Sequence, residues 1–169
     1  MVYQVVRLGH PVLRQKAAKV ELTRVKDAKF QKLIDDMIET MRAYEGVGIA
    51  APQIGLAEAI FCVEVQSSRR YPDMSGIPVY TVLNPKLTVT DATPTRMMEG
   101  CLSIPDLRGD TPRARGVRLE GFDRHGKPLT VEAKGFHARI LQHEFDHLQG
   151  RVYMDRVEDR KSFCYVEHL

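Results

Sequence analysis

The spacing of apolar residues divides this chain into elements. Phe30, Leu33, Ile34, Met37, Ile38 and Met41 recur at three- and four-residue steps. That is one face of a helix, predicted over residues 23–44 and ended near Gly46. Residues 46–55, GVGIAAPQIG, are too rich in glycine and too interrupted by proline for a regular element. Residues 59–65 read as a largely buried strand and 79–83 as another, with Pro85 breaking the pairing after it. Residues 86–90 alternate. Val117, Leu119 and Gly121 alternate against polar neighbours, as do Leu129, Val131 and Ala133 after the turn DRHGK, so this pair predicts a hairpin. Residues 67–77, with proline, glycine and paired arginines, read as a loop.

Residues 136–149 have helical spacing and stop at Gly150. At about 100° per residue, Phe136, Ile140, His143 and His147 share one stripe, while Leu141, Phe145 and Leu148 fall on the far side. A helix apolar on both sides is buried, and histidines on its inner stripe then need partners. The residues His143-Glu144-Phe145-Asp146-His147 form H-E-x-x-H. Imidazoles at this spacing stand one turn apart and can share one cation. Glu144, displaced around the helix, reaches toward a water at that cation, where it can take and return a proton.

Two helical histidines can also be satisfied by core hydrogen bonds, so the third ligand matters. A metzincin continuation finds Gly150 in place but Tyr153 at the ligand position, and fails. Glu167 is a thermolysin-like alternative, although the sequence ends at Leu169 and leaves little scaffold around it. Cys101, in EGCLSIP, is the better third ligand. Gly100 lets backbone approach closely, and a thiolate binds divalent iron or zinc well. The competing role for a lone cysteine is a small buried thiol, the reading given to Cys62 and Cys164. His137 lies off the stripe and reads as structural or surface.

Composition narrows the function classes. The 169 residues suit one domain, taken as 1–169. Hydrophobic residues at 43% and charged residues at 28% exclude disorder over most of the chain, as well as collagen-like and coiled-coil architectures. A net charge of +3 is too small a surplus to argue for nucleic acid or membrane as the main partner. Three cysteines form no disulfide framework and suit a reducing setting. The first residues meet Arg7 and Pro11 and lack the apolar run of a signal peptide. A cytoplasmic location is expected, and a mature organellar form is compatible with it.

Three motifs occur in order: GVGIAAPQ at 46–53, EGCLS at 99–103 and QHEFDH at 142–147. With them the chain resembles a peptide deformylase, from PVLR at 11–14 to about Asp155. The resemblance implies an α+β fold: mixed and antiparallel strands packed around a central H-E-x-x-H helix, with an N-terminal helix. It implies a hydrolase that removes the formyl group from N-formylmethionyl nascent polypeptides, using one divalent metal. Fe2+ is expected, and Zn2+, Ni2+ or Co2+ can occupy the same donors. Cys101, His143 and His147 would be the ligands, and Glu144 would move the proton from water to the departing amine. The Gln53 amide and the Leu102 N–H would face the developing oxyanion. Val47 and Gly48 would pair with the substrate backbone as an added strand, and Val47, Phe136 and Ile140 would line the methionine pocket.

Asp146 is expected to pair with Arg113, whereas Arg108, Arg113, Arg115 and Arg118 together read as a solvated face. The tail from Arg151 lacks the long basic helix with which some deformylases dock on the ribosome, so stable docking is not expected. Residues 69–78 resemble an insert that shapes the site entrance. Two other readings stay open: a zinc peptidase using Glu167, and a catalytically silent, metal-stabilised binding protein of the same fold.

Overall fold

The computed structural model describes residues 1–66 and 76–169. The loop expected at 67–77 and the insert at 69–78 lie, apart from their last residues, outside the described residues.

Helix α1 spans Ala28–Ala43 and starts later than the apolar spacing predicts. Asp27 sets the start: its side chain accepts from the Lys29 N–H at 2.8 Å, satisfying one of the donors a helix leaves open. The preceding Leu22–Lys26 forms a 3-10 turn, held by Gln31 Nε2 donating to Val25 O. Phe30, Ile34, Met37, Ile38 and Met41 are buried, as their spacing requires, in a core shared with Ile49, Ile60, Cys62 and Leu83.

Strands β1 (Gly48–Ala50), β2 (Ile60–Val65), β3 (Ile77–Cys101), β4 (Ile104–Phe122) and β5 (Pro128–Lys134) lie side by side in that order, every pair antiparallel. The short β6 (Cys164–Tyr165) adds to β4 at Leu107 and Arg108. The parallel component is a single bridge, Ala18 with Glu58, among the described residues. The β4–β5 hairpin has the expected pairing, Val117 with Ala133 and Leu119 with Val131.

Two expectations are corrected. Residues 46–55 are not irregular throughout: Gly48–Ala50 pairs with Phe61–Val63, and Ala51–Ile54 forms a 3-10 turn ended by Gly55 at φ 88°. A strand this short is specified by its partner's backbone, which leaves no side-chain period to read. Pro85 does not end the strand either. A register shift between Leu83 and Lys86 accommodates it, so 79–83 and 86–90 belong to one β3. Asn84 takes φ 51° at this shift and exchanges hydrogen bonds with the Val20 backbone.

Helix α2 spans Gly135–Leu148, within one residue of its predicted limits. Ala138, Ile140, Leu141 and Leu148 are buried against Phe61, Val63, Val117 and Leu119 of the sheet. Gly150 follows at φ 71°, and a Cβ there would stand 2.7 Å from Arg14 O. The helix is therefore fixed in depth, with its histidine stripe beneath the end of β3.

Candidate metal centre

Cys101 ends β3 at the tight connection to β4, where it pairs with Ile104. Its Sγ and one nitrogen from each of His143 and His147 lie within 4.8 Å of one another. Cys101 Sγ is 3.3 Å from His147 Nε2, and the two imidazoles meet edge to face at 5.0 Å. His143 Nδ1 is 3.1 Å from Glu99 Oε2, which leaves Nε2 as the nitrogen available to the cluster.

Burial by itself raises the Cys101 thiol, but the field of His147 and hydrogen bonds from both histidines outweigh it and hold the thiol well below its usual range. Burial by itself lowers His143, yet its bonds to Cys101 and Glu99 raise it well above the ordinary value. One sulfur and two imidazole nitrogens in a buried cluster are a donor set that fits a divalent transition metal. A thiol already disposed to ionise meets the requirement that ligands bind deprotonated.

Glu144 stands beside this cluster, almost fully buried, and its Oε2 has no hydrogen-bond partner among the described residues. Burial pushes its carboxyl up to about 7. Gln53, on the turn after β1, accepts from the Ala50 N–H through Oε1 at 2.8 Å. Its Nε2 points to Cys101 Sγ at 3.4 Å and Ser103 Oγ at 3.5 Å. A cleft of about 680 Å³ opens over these groups. Val47, Gly48, Gln53, Cys101, Leu102, Phe136, Ile140, His143 and Glu144 all line it. His147 is fully buried behind them.

Glu167 does not join them. It lies in the last turn, Val166–His168, with its side chain 76% exposed and turned to His168. The tail is held on β4 by β6. His137 is structural, its Nε2 2.7 Å from Tyr80 Oη. Cys62 is buried against Thr81, and its thiol is pushed up to about 12 by burial.

The arginines do not form one solvated face. Arg113 is buried and pairs with Asp146 at 2.5 Å, as expected, and with Glu99 through two bonds of 3.0 and 2.9 Å. Arg108 packs over Gly100 and lines the cleft, while Arg115 and Arg118 face solvent with Asp91 and Glu120. Arg156 adds two further bonds to Asp146. Sequence reasoning missed Glu99 and Arg139, both buried. Period-two alternation puts Glu99 on the same face of β3 as Cys101, a signal that was available. Val166 also lines the cleft, and no local pattern announces it.

The family model for polypeptide deformylase matches residues 2–163. Peptide deformylase 2 of Pseudomonas putida is 42% identical over 169 residues, covering all of this chain and 95% of its own. Peptide deformylase 1 of Bordetella pertussis is likewise 42% identical, with the same coverage. Among solved structures, a Met-Ala-Ser-bound class I type b peptide deformylase from Acinetobacter baumannii superposes with a TM-score of 0.89 at 34% identity, over 93% of this chain and 99% of that one. A peptide deformylase from Synechococcus elongatus in complex with actinonin gives 0.84 at 34% identity, over 95% and 81%.

Proposed function

This chain belongs to the polypeptide deformylase family, and from that premise we propose how its own residues divide the work. The protein is a metal-dependent hydrolase that removes the N-formyl group from nascent peptides. Cys101, His143 and His147 hold the ion. Their proximity within 4.8 Å, at the base of the cleft that Glu144 faces, is the observation that carries the assignment. We take the ion to be Fe2+, which the thiolate–imidazole set suits, while Zn2+, Ni2+ and Co2+ accept the same donors. When bound, it supplies Lewis acidity toward water and the formyl carbonyl.

The remaining work falls to the chain. Glu144 takes a proton from the attacking water and returns it to the departing amine, and its buried Oε2 has no protein partner among the described residues to compete for that task. The Leu102 N–H and Gln53 Nε2 donate to the oxyanion that develops on the formyl oxygen. Gln53 arrives oriented, because its Oε1 is fixed to the Ala50 N–H. β1 is an outer strand of the sheet among the described residues, and with Val47 O taken by the Glu64 N–H at 3.1 Å, the segment at Val47 and Gly48 pairs with an extended peptide through its remaining outward backbone groups. Phe136, Ile140 and Val47 form the apolar wall for the methionine side chain. This enzyme works in the cytoplasm as one catalytic domain over residues 1–169.

Formate release from formyl-Met-Ala-Ser tests the reading. It is measured anaerobically with Fe2+ and in parallel with Ni2+ and Co2+, since a ferrous–thiolate site oxidises readily. Formate from any of these forms is expected; a folded, metal-loaded protein inert in all of them refutes the assignment and leaves the silent binding protein. Metal lost in Cys101→Ala but kept in Glu167→Ala is expected, and the reverse would restore the zinc peptidase.

A further inference from the structure

We propose that Arg139 is a positioning residue for His143, acting through Glu99, and that its aliphatic stem forms part of the cleft wall. The proposal rests on the reading of His143 as a metal ligand. Arg139 lies one turn before His143 on α2 and is only 4% exposed. Its Nη1 donates to Glu99 Oε1 at 2.6 Å and to Thr111 O at 2.8 Å, and its Nη2 to Thr95 O at 2.6 Å. One guanidinium thus ties α2 to β3, to β4 and to the carboxylate that meets His143 Nδ1.

Charge balance does not require this arginine. Glu99 and Asp146 are the two carboxylates that Arg113 joins, and Arg113 and Arg156 already match them. What Arg139 adds is geometric. Arg113 approaches Glu99 along one edge, reaching both oxygens, and its own further anchor is Asp146 on α2. Arg139 grips Oε1 from a second direction and is itself anchored to two strands, so Oε2 is held toward His143 Nδ1. A carboxylate fixed in this way sets the tautomer and ring orientation of the histidine. Arg139 also lines the cleft, and with its head engaged on Glu99, Thr95 and Thr111 it offers the cleft its methylene stem. A methionine side chain in the cleft then rests on the same residue that orients a metal ligand.

Arg139→Met and Arg139→Lys test this in the Ni2+- and Co2+-loaded enzyme. Methionine keeps an apolar stem and deletes the head. Lysine keeps the charge at a single point that cannot span three acceptors. Loss of an outer-layer partner typically costs ~10–100-fold in metal affinity. Release of Ni2+ to a chelator should therefore quicken about that much in Arg139→Met and by an intermediate factor in Arg139→Lys, with shifted visible bands in the Co2+ forms. Circular dichroism verifies folding, and if Arg139→Met does not fold, Arg139→Lys decides by the same two readouts. Wild-type release rates and cobalt spectra in folded variants overturn the proposal. A wild-type protein that takes up no Ni2+ overturns the ligand assignment itself, and this proposal with it.

Discussion

Gly48 and Glu144 meet so closely that a Cβ on Gly48 would stand 2.3 Å from Glu144 Oε1. The absence of a side chain on β1 is what lets the carboxylate lie against the strand, beside the cluster, and leaves the backbone of Gly48 open to the cleft. Only the end of a flexible side chain blocks an added methyl, so alanine there displaces the carboxylate and spares the fold. Gly48→Ala should keep wild-type metal content and melting temperature while kcat/KM falls on the order of 10²-fold, the usual worth of a positioned general base. Metal analysis beside steady-state kinetics checks this; unchanged kcat/KM would show that Glu144 does not depend on the gap.

Burial raises the Glu144 carboxyl from its ordinary 4.5 to about 7 in the metal-free protein. The folded state then binds a proton that the unfolded chain has released between these values, so stability falls as pH rises through that window. The loss is about 3 kcal/mol, from ~1.4 kcal/mol per pKa unit. Chelator-treated Glu144→Gln should therefore be more stable than chelator-treated wild type at pH 8, with the difference vanishing toward pH 4. Denaturant melts at several pH values provide the test, and a pH-independent difference contradicts it.

Gln53 has two occupations, one at each end of its amide. Gln53→Leu removes a donor from the oxyanion site, for which a rate loss of ~10²–10³-fold is typical. It also leaves the buried Ala50 N–H without its acceptor, at a cost of about 1–3 kcal/mol. Both effects are expected together, and a variant with lowered stability but wild-type kcat would remove Gln53 from catalysis.

Arg113 holds Glu99 and Asp146 at once, each of them buried. Arg113→Met takes a shared partner from two buried carboxylates, leaving Glu99 to Arg139 and Asp146 to Arg156, and breaking a buried pair from one side typically costs ~3–5 kcal/mol. The melting temperature should drop on the order of 10 °C. Asp146→Asn should be milder, since Arg113 keeps both bonds to Glu99. Calorimetry of the two variants decides, and equal losses would argue against this division.

Cys62 and Cys101 should separate by reactivity. Cys62 is fully buried with its thiol pushed up to about 12, whereas Cys101 is held well below the usual thiol range and faces the cleft. After metal removal, iodoacetamide at neutral pH should modify Cys101 and leave Cys62 intact in the folded protein. Loading the metal should protect Cys101. Peptide mapping by mass spectrometry reads both, and modification of Cys62 before unfolding would contradict the burial argument.

The sequence alone determined everything that repeats within one element. The period of α1 was readable from Phe30 to Met41, as was the stacking of His143 over His147, because helical rise and turn are local and constant. The β4–β5 pairing was readable because alternation survives in a hairpin joined by a short turn. Motif order added the cysteine: EGCLS made Cys101 the expected third ligand once the three segments were taken together.

Tertiary structure decided whatever depends on partners distant in the chain. Gly48–Ala50 is a strand only because β2 offers it a backbone, and Pro85 is tolerated only because β3 shifts register between two neighbours. Arg113 is legible in sequence only as a partner for Asp146 and Arg139 is not announced at all, yet both are buried, because Glu99, Asp146 and the carbonyls of Thr95 and Thr111 converge on them across β3, β4 and α2. Cys101, not Glu167, is brought beside the histidines for the same reason. A helix can present two such groups by its own geometry, but the third must be carried there, and here the end of β3 brings Cys101 to the histidines while Glu167 stays exposed beside His168.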